Sequence, residues 1–407
     1  MTDRTAADLP GLLAGRPAPA VHSPASTDEA GRTLRELAER GARVAFLGGG
    51  TELELGAPPR SLDAVVRTGA MARVLDYAPA DMVMTVEAGV TLAALQATAR
   101  AHGQRLALDP PRPEQATLGG LVATGASGPL RARYGAIRDL IIGVTLVRAD
   151  GAVARGGGKV VKNVAGFDLP KVACGSLGTL AMIAEATFRL HPLPEVRRAV
   201  VARGIDPRAA WLLVERWRAA QLEPCAAYAV RDPQGRYDLV VVFEGFEAGV
   251  RQQTDRLQRL AREAGPGTDL LDEEALGPVR ARHDQAREAG SLRLRLTSLT
   301  SRFPEVEAAV APLLSQLGDA RFAWYPTVGV GYLAGNAADP AVAAEVERLR
   351  LSLAPGAVVV AAAPPSLRGG SLDPWGPPPP AFALMKNLKQ RFDPDGRLNP
   401  GRFVGGL

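Results

Sequence analysis

The chain is short of cysteine, lysine and histidine, and it has no long apolar run. Its two cysteines are Cys174 and Cys225, far apart and without a C-x-x-C pair. That excludes an iron–sulfur cluster or a zinc ribbon built by this chain alone, and no metal site is expected. Two buried free thiols are expected rather than a disulfide. No apolar stretch approaches the roughly 20 residues needed to cross a bilayer, so no membrane span is expected. The first twenty residues carry Asp3 and Asp8 and lack the basic start and apolar centre of a secretory signal. Residues 1–19 read as a loosely held extension, because their Pro, Ala and Gly content gives little to pack. A cytoplasmic location is expected. Only five of the 48 basic side chains are lysine, and the net charge is +5. The arginines are interspersed with Asp and Glu along helices, the pattern of a solvated, salt-bridged surface, so no nucleic-acid partner is expected.

What is present is a chain of 407 residues, long enough for two or three domains with real cores. Ser26 to Arg40 reads as a helix, with Ser26 and Glu29 at capping-box spacing and Leu34 and Leu37 on an apolar stripe. Short strands are expected at Arg43–Leu47, Ala64–Arg67 and Met82–Ala88, with a helix at Thr91–Ala101. Ile137–Arg148 and Gly151–Ala154 read as a hairpin, and Gly178–Leu190 as a strand region. After Pro194 the glycine loops stop, and helices such as Arg208–Ala220 and Val250–Ala264 alternate with strands such as Tyr237–Phe243, Leu292–Ser298 and Ala357–Ala362. That alternation suits an α+β layer on an antiparallel sheet. Ser371–Pro380 is a stiff proline linker, and a last helix, Ala381–Phe392, leads into FDPDGRLNPGRF.

The chemistry concentrates in glycine. Gly48-Gly49-Gly50-Thr51-Glu52 follows a strand, where consecutive glycine N–H groups can form an anion-binding nest. A second small-residue patch runs through Thr117-Leu118-Gly119-Gly120 and Ala123-Thr124-Gly125-Ala126-Ser127-Gly128. Nothing there is bulky, so backbone can approach a flat cofactor, and Ser and Thr hydroxyls can serve phosphate or ribityl oxygens. Neither patch is a G-x-G-x-x-G fingerprint, and Gly156-Gly157-Gly158-Lys159 lacks the Ser/Thr of a P-loop. Gly329-Val330-Gly331 with Gly335 mimics a nucleotide motif but has no strong βαβ frame around it.

These segments, with the run from Pro110 to Pro192 and its GSLGTL strand, resemble the flavin-binding half of the vanillyl-alcohol-oxidase superfamily. The spacing is similar to the GlcE-type FAD-binding subunit of glycolate oxidase. The resemblance covers most of residues 20–195 and returns at the C-terminus. It implies a two-subdomain PCMH-type FAD-binding domain (20–195), an α+β cap (196–375) and a C-terminal segment (376–407) that returns to the first domain. The two glycine loops would wrap the FAD pyrophosphate and ribityl chain. Positions matching Pro110, Tyr134, Gly135 and Gly178 would lie along the same channel, the backbone at Ile183 would meet the adenine, and Asn399 would touch the flavin region. No His or Cys lies near Gly50 and Thr51, so the FAD is expected to be non-covalent. Lys162 and Asn163, in KVVKNVAGFDLP, either face the cofactor or belong to a structural loop. At Leu177 the substrate-oxidising relatives carry glutamate, and leucine cannot make that hydrogen bond.

Oxidation of a 2-hydroxy acid needs a cation for the carboxylate, a base for the hydroxyl proton and a flavin to accept hydride. The catalytic relatives place histidines in an H-E-H-G segment of the cap, which is missing here. The four histidines are His22, His102, His191 and His283. Only His283 lies in the cap, and ARHDQAREAG reads as a helix surface. Arg293, Arg295 and Arg302 could hold a carboxylate, but arginine is too abundant to be specific. No catalytic residue is therefore assigned. The resemblance implies the FAD-binding subunit of a complex that oxidises glycolate to glyoxylate. Its partners would be a catalytic FAD-containing subunit and an iron–sulfur subunit. The alternatives are an accessory flavin carrier without substrate oxidation, a flavoenzyme for another 2-hydroxy acid such as D-lactate, and a nicotinamide-dependent reductase on the same fold.

Overall fold

The structure, a computed structural model, describes residues 19–159, 166–368 and 372–407. They divide into two compact units. The first comprises the chain up to Gly128, Tyr134–Leu193 and Pro377–Leu407, and the second Pro129–Arg133 and Pro194–Gly376.

The first unit holds two principal sheets. Strands β1 (Ala20–His22), β2 (Val44–Leu47) and β3 (Ala64–Arg67) form a parallel sheet with β3 in the middle. The central position suits Ala64-Val65-Val66, all buried. The helix Thr27–Glu39 packs against both sheets. It starts where Ser26 Oγ accepts from the Glu29 N–H at 3.2 Å and the Glu29 carboxylate accepts from the Ala25 N–H at 2.9 Å. Its stripe Ala30, Leu34 and Leu37 packs with Val44, Val66 and Leu398.

The second sheet is antiparallel, in the order β4 (Val74–Ala78), β5 (Val83–Glu87), β9 (Met182–Arg189), β7 (Ile141–Val147) and β8 (Val153–Gly157). The short strands β6 (Gln104–Arg105) and β10 (His191–Pro192) pair antiparallel beside it. The helix Leu92–Arg100 contributes Leu92, Leu95 and Ala99 to its core. Three expectations need correction. Ile137–Leu140 is a helical turn rather than the start of a strand, because the Asp139 carboxylate accepts from the Ala136 N–H at 2.8 Å and caps it. Leu118–Thr124 is a short helix rather than a loop. The strand expected from Gly178 begins only at Met182, because Leu177 and Gly178 both have positive φ and cannot extend.

The second unit is one eight-stranded antiparallel sheet, in the order β14 (Thr268–Leu271), β11 (Val196–Ile205), β13 (Tyr237–Gly245), β12 (Ala226–Arg231), β16 (Gly318–Tyr325), β17 (Val330–Asn336), β15 (Leu292–Thr297) and β18 (Val358–Ala362). Strand β15 shows the period-two logic: Leu292, Leu294 and Leu296 enter the core, while Arg293 and Arg295 alternate with them. The core is completed by Leu213 and Trp217 from the helix Pro207–Ala219, Leu257 from Glu247–Ala264, Val310 from Phe303–Gln316 and Val346 from Val342–Leu353. The helix Glu273–Glu288 packs on β16 and β17. Gly331 and Gly335 belong to β17, and a Cβ on Gly331 would come within 2.9 Å of Trp324. Gly331 serves aromatic packing inside the sheet, and Gly335 gives room to Leu317. The expected proline linker is held at its start: Leu372 is buried, and the Pro374 carbonyl accepts from the Val360 N–H at 2.8 Å. The architecture is α+β, as the sequence indicates.

Candidate cofactor-binding site

Strand β2 delivers the chain to Gly48, where it turns. The reason for glycine is closeness to the second small-residue segment. A Cβ on Gly48 would stand 2.2 Å from Thr117 Oγ1, and one on Gly49 would stand 1.7 Å from the Gln115 carbonyl oxygen. The Gly49 N–H donates to Thr117 Oγ1 at 3.2 Å, which ties the two segments together. Gly50 then takes φ +74°, a left-handed conformation open to glycine at little cost. From Thr117 the chain enters the Leu118–Thr124 helix, which ends at Gly125 in the left-handed conformation (φ +66°).

Leu177 and Gly178 form a further wall. The Leu177 N–H donates to the Ala123 carbonyl at 2.8 Å, which anchors this turn to the helix end. Leu177 has φ +50°, a conformation that costs a branched side chain about 1–2 kcal/mol. Asn399 faces it from the C-terminal segment. The Asn399 backbone N–H donates to the Val44 carbonyl at 2.7 Å, and its Nδ2 donates to the Leu177 carbonyl at 2.8 Å. Asn399 therefore links β2 to the Leu177 turn, and asparagine tolerates its φ of +46°. The Arg402 guanidinium donates to the carbonyls of Leu53 and Leu55 at 2.9 and 2.8 Å, and Arg112 to that of Thr51 at 2.6 Å. Both cations hold the loop that follows the glycines.

These walls enclose a cleft with about 600 Å³ of empty space, part of it open to solvent. Of the residues singled out in the sequence, Gly48, Gly49, Gly50, Thr51, Glu52, Thr117, Gly120, Ala123, Thr124, Gly178 and Asn399 line it. Others do not. Leu118 and Ile183 are buried in the apolar core, and Pro110 is buried outside the lining. Gly119 lies against Ala88, Gly128 against Asp109 and Gly135 against Asp139. The Tyr134 hydroxyl accepts from Arg105 at 3.2 Å, and its ring meets the His191 ring edge-on, with centroids 4.8 Å apart. Lys162 and Asn163 lie outside the described residues. Phe46, Leu47, Leu53 and Arg402 line the cleft but were not singled out. Arg402 had a signal, since it follows Asn399-Pro400-Gly401 in the same C-terminal motif.

Much of the lining is small or polar, which lets a flat cofactor approach the backbone closely. Thr117, Thr124, Asn399 and Arg402 line the cleft, with Glu52 as its one carboxylate; the Thr124 hydroxyl donates to the Gly120 carbonyl at 2.9 Å, so with Asn399 and Arg402 it shapes the walls. Ser127, also singled out in the sequence, lies outside this lining; its Oγ is buried and finds no hydrogen-bond partner among the described residues. Leu177 adds apolar surface to the lining. Cys174 is only half-buried, against expectation, but burial still pushes its thiol up to about 12, so it stays protonated.

None of the four histidines lines this cleft. His283, expected on a helix surface, is fully buried in the second unit. Its Nδ1 lies 2.8 Å from the Asp284 carboxylate and its Nε2 lies 2.6 Å from the Tyr325 hydroxyl. With Asp284 as acceptor, Nδ1 carries the proton and Nε2 accepts from Tyr325. Its ring stacks on Tyr325 and lies 4.8 Å from that of Tyr228. The local sequence hid this, because the burial comes from β12 and β16, distant in the chain. Burial lowers the His283 pKa to about 3. The unfolded chain therefore binds a proton that the folded chain refuses between about pH 6.5 and pH 3. Stability contributed at this site is full above that window and is lost as the pH falls through it. We expect His283→Ala to cost about 3 kcal/mol near neutrality, through a cavity and two lost hydrogen bonds. The penalty should shrink toward pH 4. Urea melts of the two proteins across that range check both statements.

Comparison with known proteins identifies the cofactor as FAD. Residues 18–157 match the FAD binding domain family. The D-lactate dehydrogenase of Archaeoglobus fulgidus is 33% identical over 261 residues, 59% of this chain and 58% of that protein. The chain thus spans little more than half the length of that relative. The glycolate oxidase subunit GlcE of Escherichia coli is 29% identical over 336 residues, 82% of this chain and 85% of that subunit. The structure of p-cresol methylhydroxylase with substrate bound shares the fold, with a TM-score of 0.74 at 14% identity, covering 99% of this chain and 92% of that one. The glycine-walled cleft, most of whose lining lies within the matched FAD binding domain, makes this chain an FAD-binding protein, similar along most of its length to the glycolate oxidase subunit GlcE.

Proposed function

We propose that this chain is an FAD-dependent oxidoreductase subunit that works on the CH–OH group of a small 2-hydroxy acid, glycolate or D-lactate, inside a heteromeric complex. The observation that carries this reading is the cleft of the first unit, together with a likeness to GlcE that extends past the FAD domain over 82% of the chain. FAD, when bound, supplies the hydride acceptor. The chain's own residues do the holding. The Gly48–Glu52 loop and the 117–124 segment grip the polar part of the cofactor without a covalent bond. Asn399 and Arg402 fix the loops around it, and Leu177 keeps one wall dry. The partners fitting this reading are a second FAD-containing subunit and an iron–sulfur subunit, since the two free thiols of this chain build no cluster.

A specific observation favours the accessory form of this reading, in which substrate is oxidised by a partner. His283 is the one histidine of the second unit, and it is sealed with both ring nitrogens engaged. It cannot accept a substrate proton without breaking a buried network. The deciding measurement is the visible spectrum of the purified, FAD-loaded chain under anaerobic conditions, before and after glycolate and then D-lactate. We expect the flavin to remain oxidised in the isolated chain and to bleach once the partner subunits are present. Bleaching by the isolated chain would establish a complete substrate site within it and end the accessory reading.

A further inference from the structure

A second cavity lies in the first unit, with about 520 Å³ of empty space. Val172, Leu180, Met385, Leu388, Phe403 and Leu407 give it an apolar wall. The cation at its edge is spent: Lys389 Nζ donates to the Thr179 carbonyl, to Asp393 and to the Leu398 carbonyl at 2.7, 2.6 and 3.0 Å. The Cys174 thiol is held protonated by burial. The cavity therefore suits an apolar group.

The adjoining helix, Phe382–Phe392, is unusual in what it leaves uncovered. Lys389 is its one buried residue. Leu384 is 70% exposed, and Phe382, Met385 and Leu388 are half-buried. A helix with this many apolar residues ordinarily hides a stripe of them. Its ionisable side chains, Lys386, Lys389 and Arg391, are all basic. The surface is thus apolar with a cationic rim, a composition typical of interfaces. A second copy would set basic helix against basic helix, so the complementary chemistry is acidic.

We propose that this face docks a separate polypeptide: an amphipathic segment that inserts an apolar side chain into the cavity and sets Asp or Glu against Lys386 and Arg391. The cavity and the cofactor cleft share a stretch of backbone. Cys174, Gly175, Ser176, Thr179 and Leu180 line the cavity, while Leu177 and Gly178, between them in sequence, line the cleft. Docking fixes the back of a cofactor wall, so partner and FAD each strengthen binding of the other. The inference does not depend on which hydroxy acid is oxidised or on which subunit oxidises it.

The test uses the full, FAD-loaded chain and two labelled synthetic amphipathic helices, one with leucines on one face flanked by glutamates, the other with lysines in place of the glutamates. Fluorescence anisotropy should show binding of the acidic peptide, weakened by salt, and none of the basic one. Leu388→Asp, and separately Lys386→Glu with Arg391→Glu, should weaken binding by about tenfold or more. Unchanged flavin absorbance shows that each variant is folded, and the two surface charge reversals serve if Leu388→Asp is not. The acidic peptide should also slow FAD dissociation. Absence of binding, equal binding of the two peptides, or binding indifferent to the substitutions would overturn the proposal. So would acidic-peptide binding that appears only after removal of residues 1–18, which would make the chain's own N-terminal segment the occupant. A concentration-dependent dimer lost in Leu384→Asp would make the occupant a second copy and overturn it equally.

Discussion

Gly49→Asp is expected to yield a folded chain without flavin. Two effects act together. The new Cβ would stand 1.7 Å from the Gln115 carbonyl oxygen, so the glycine turn and the 115–117 segment must part. That also breaks the Gly49 N–H to Thr117 Oγ1 bond. The new carboxylate then lies beside the place where a pyrophosphate would sit. Two unit charges 4 Å apart repel by about 4 kcal/mol at an effective dielectric of 20, which alone weakens binding by roughly a thousandfold. The measurement is the ratio of flavin absorbance to protein in the purified variant. Gly49→Ala separates the causes, because it has the same Cβ and no charge. It should bind FAD weakly, and Gly49→Asp should not bind it at all. Stoichiometric flavin in Gly49→Asp would remove the loop from the site.

Lys389→Met is expected to destabilise the first unit by about 3–5 kcal/mol, because it strands a buried carboxylate. The Asp393 side chain is fully buried and accepts from Lys389 Nζ, from the Arg397 N–H at 3.0 Å and from the Leu398 N–H at 2.7 Å. Without the ammonium, two backbone N–H groups are left to hold that charge, and the carbonyls of Thr179 and Leu398 lose a donor. The damage does not stay local. Arg397 and Leu398 fasten the C-terminal segment to β2, where the Val44 N–H donates to the Arg397 carbonyl and Val44 bridges Leu398. Asn399 follows and holds the Leu177 turn. FAD affinity should therefore fall together with stability. Burial lowers the Lys389 pKa and the bond to Asp393 opposes that shift. The comparison that isolates the pair is Lys389→Met against Lys389→Met with Asp393→Asn, by urea denaturation. The double variant should recover part of the loss, since no unpaired charge is then buried. A single variant as stable as the parent would mean that Asp393 is satisfied without its cation.

The amino-acid sequence by itself determined the cofactor and most of the local structure. Ser26 and Glu29 announce their helix because a cap is a contact between near neighbours. The alternation of Leu and Arg along β15 likewise fixes a strand with two unlike faces. The glycine segments marked the cleft because closeness of backbone leaves a compositional trace. What those glycines touch was not legible. Gly48 and Gly49 lack a Cβ chiefly because Thr117 and Gln115, nearly seventy positions away, press against them. His283 shows the same limit. Its neighbours in sequence are polar, and only the packing of its helix onto β12 and β16 makes it a buried, neutral group. The helix Phe382–Phe392 is a further case: its existence was legible, but that Lys389 would be its one buried residue was not. Contacts within a turn or two are written into local pattern, because their geometry is set by the backbone repeat. Contacts between distant segments depend on which surfaces the whole chain brings together, and only the tertiary structure decides that.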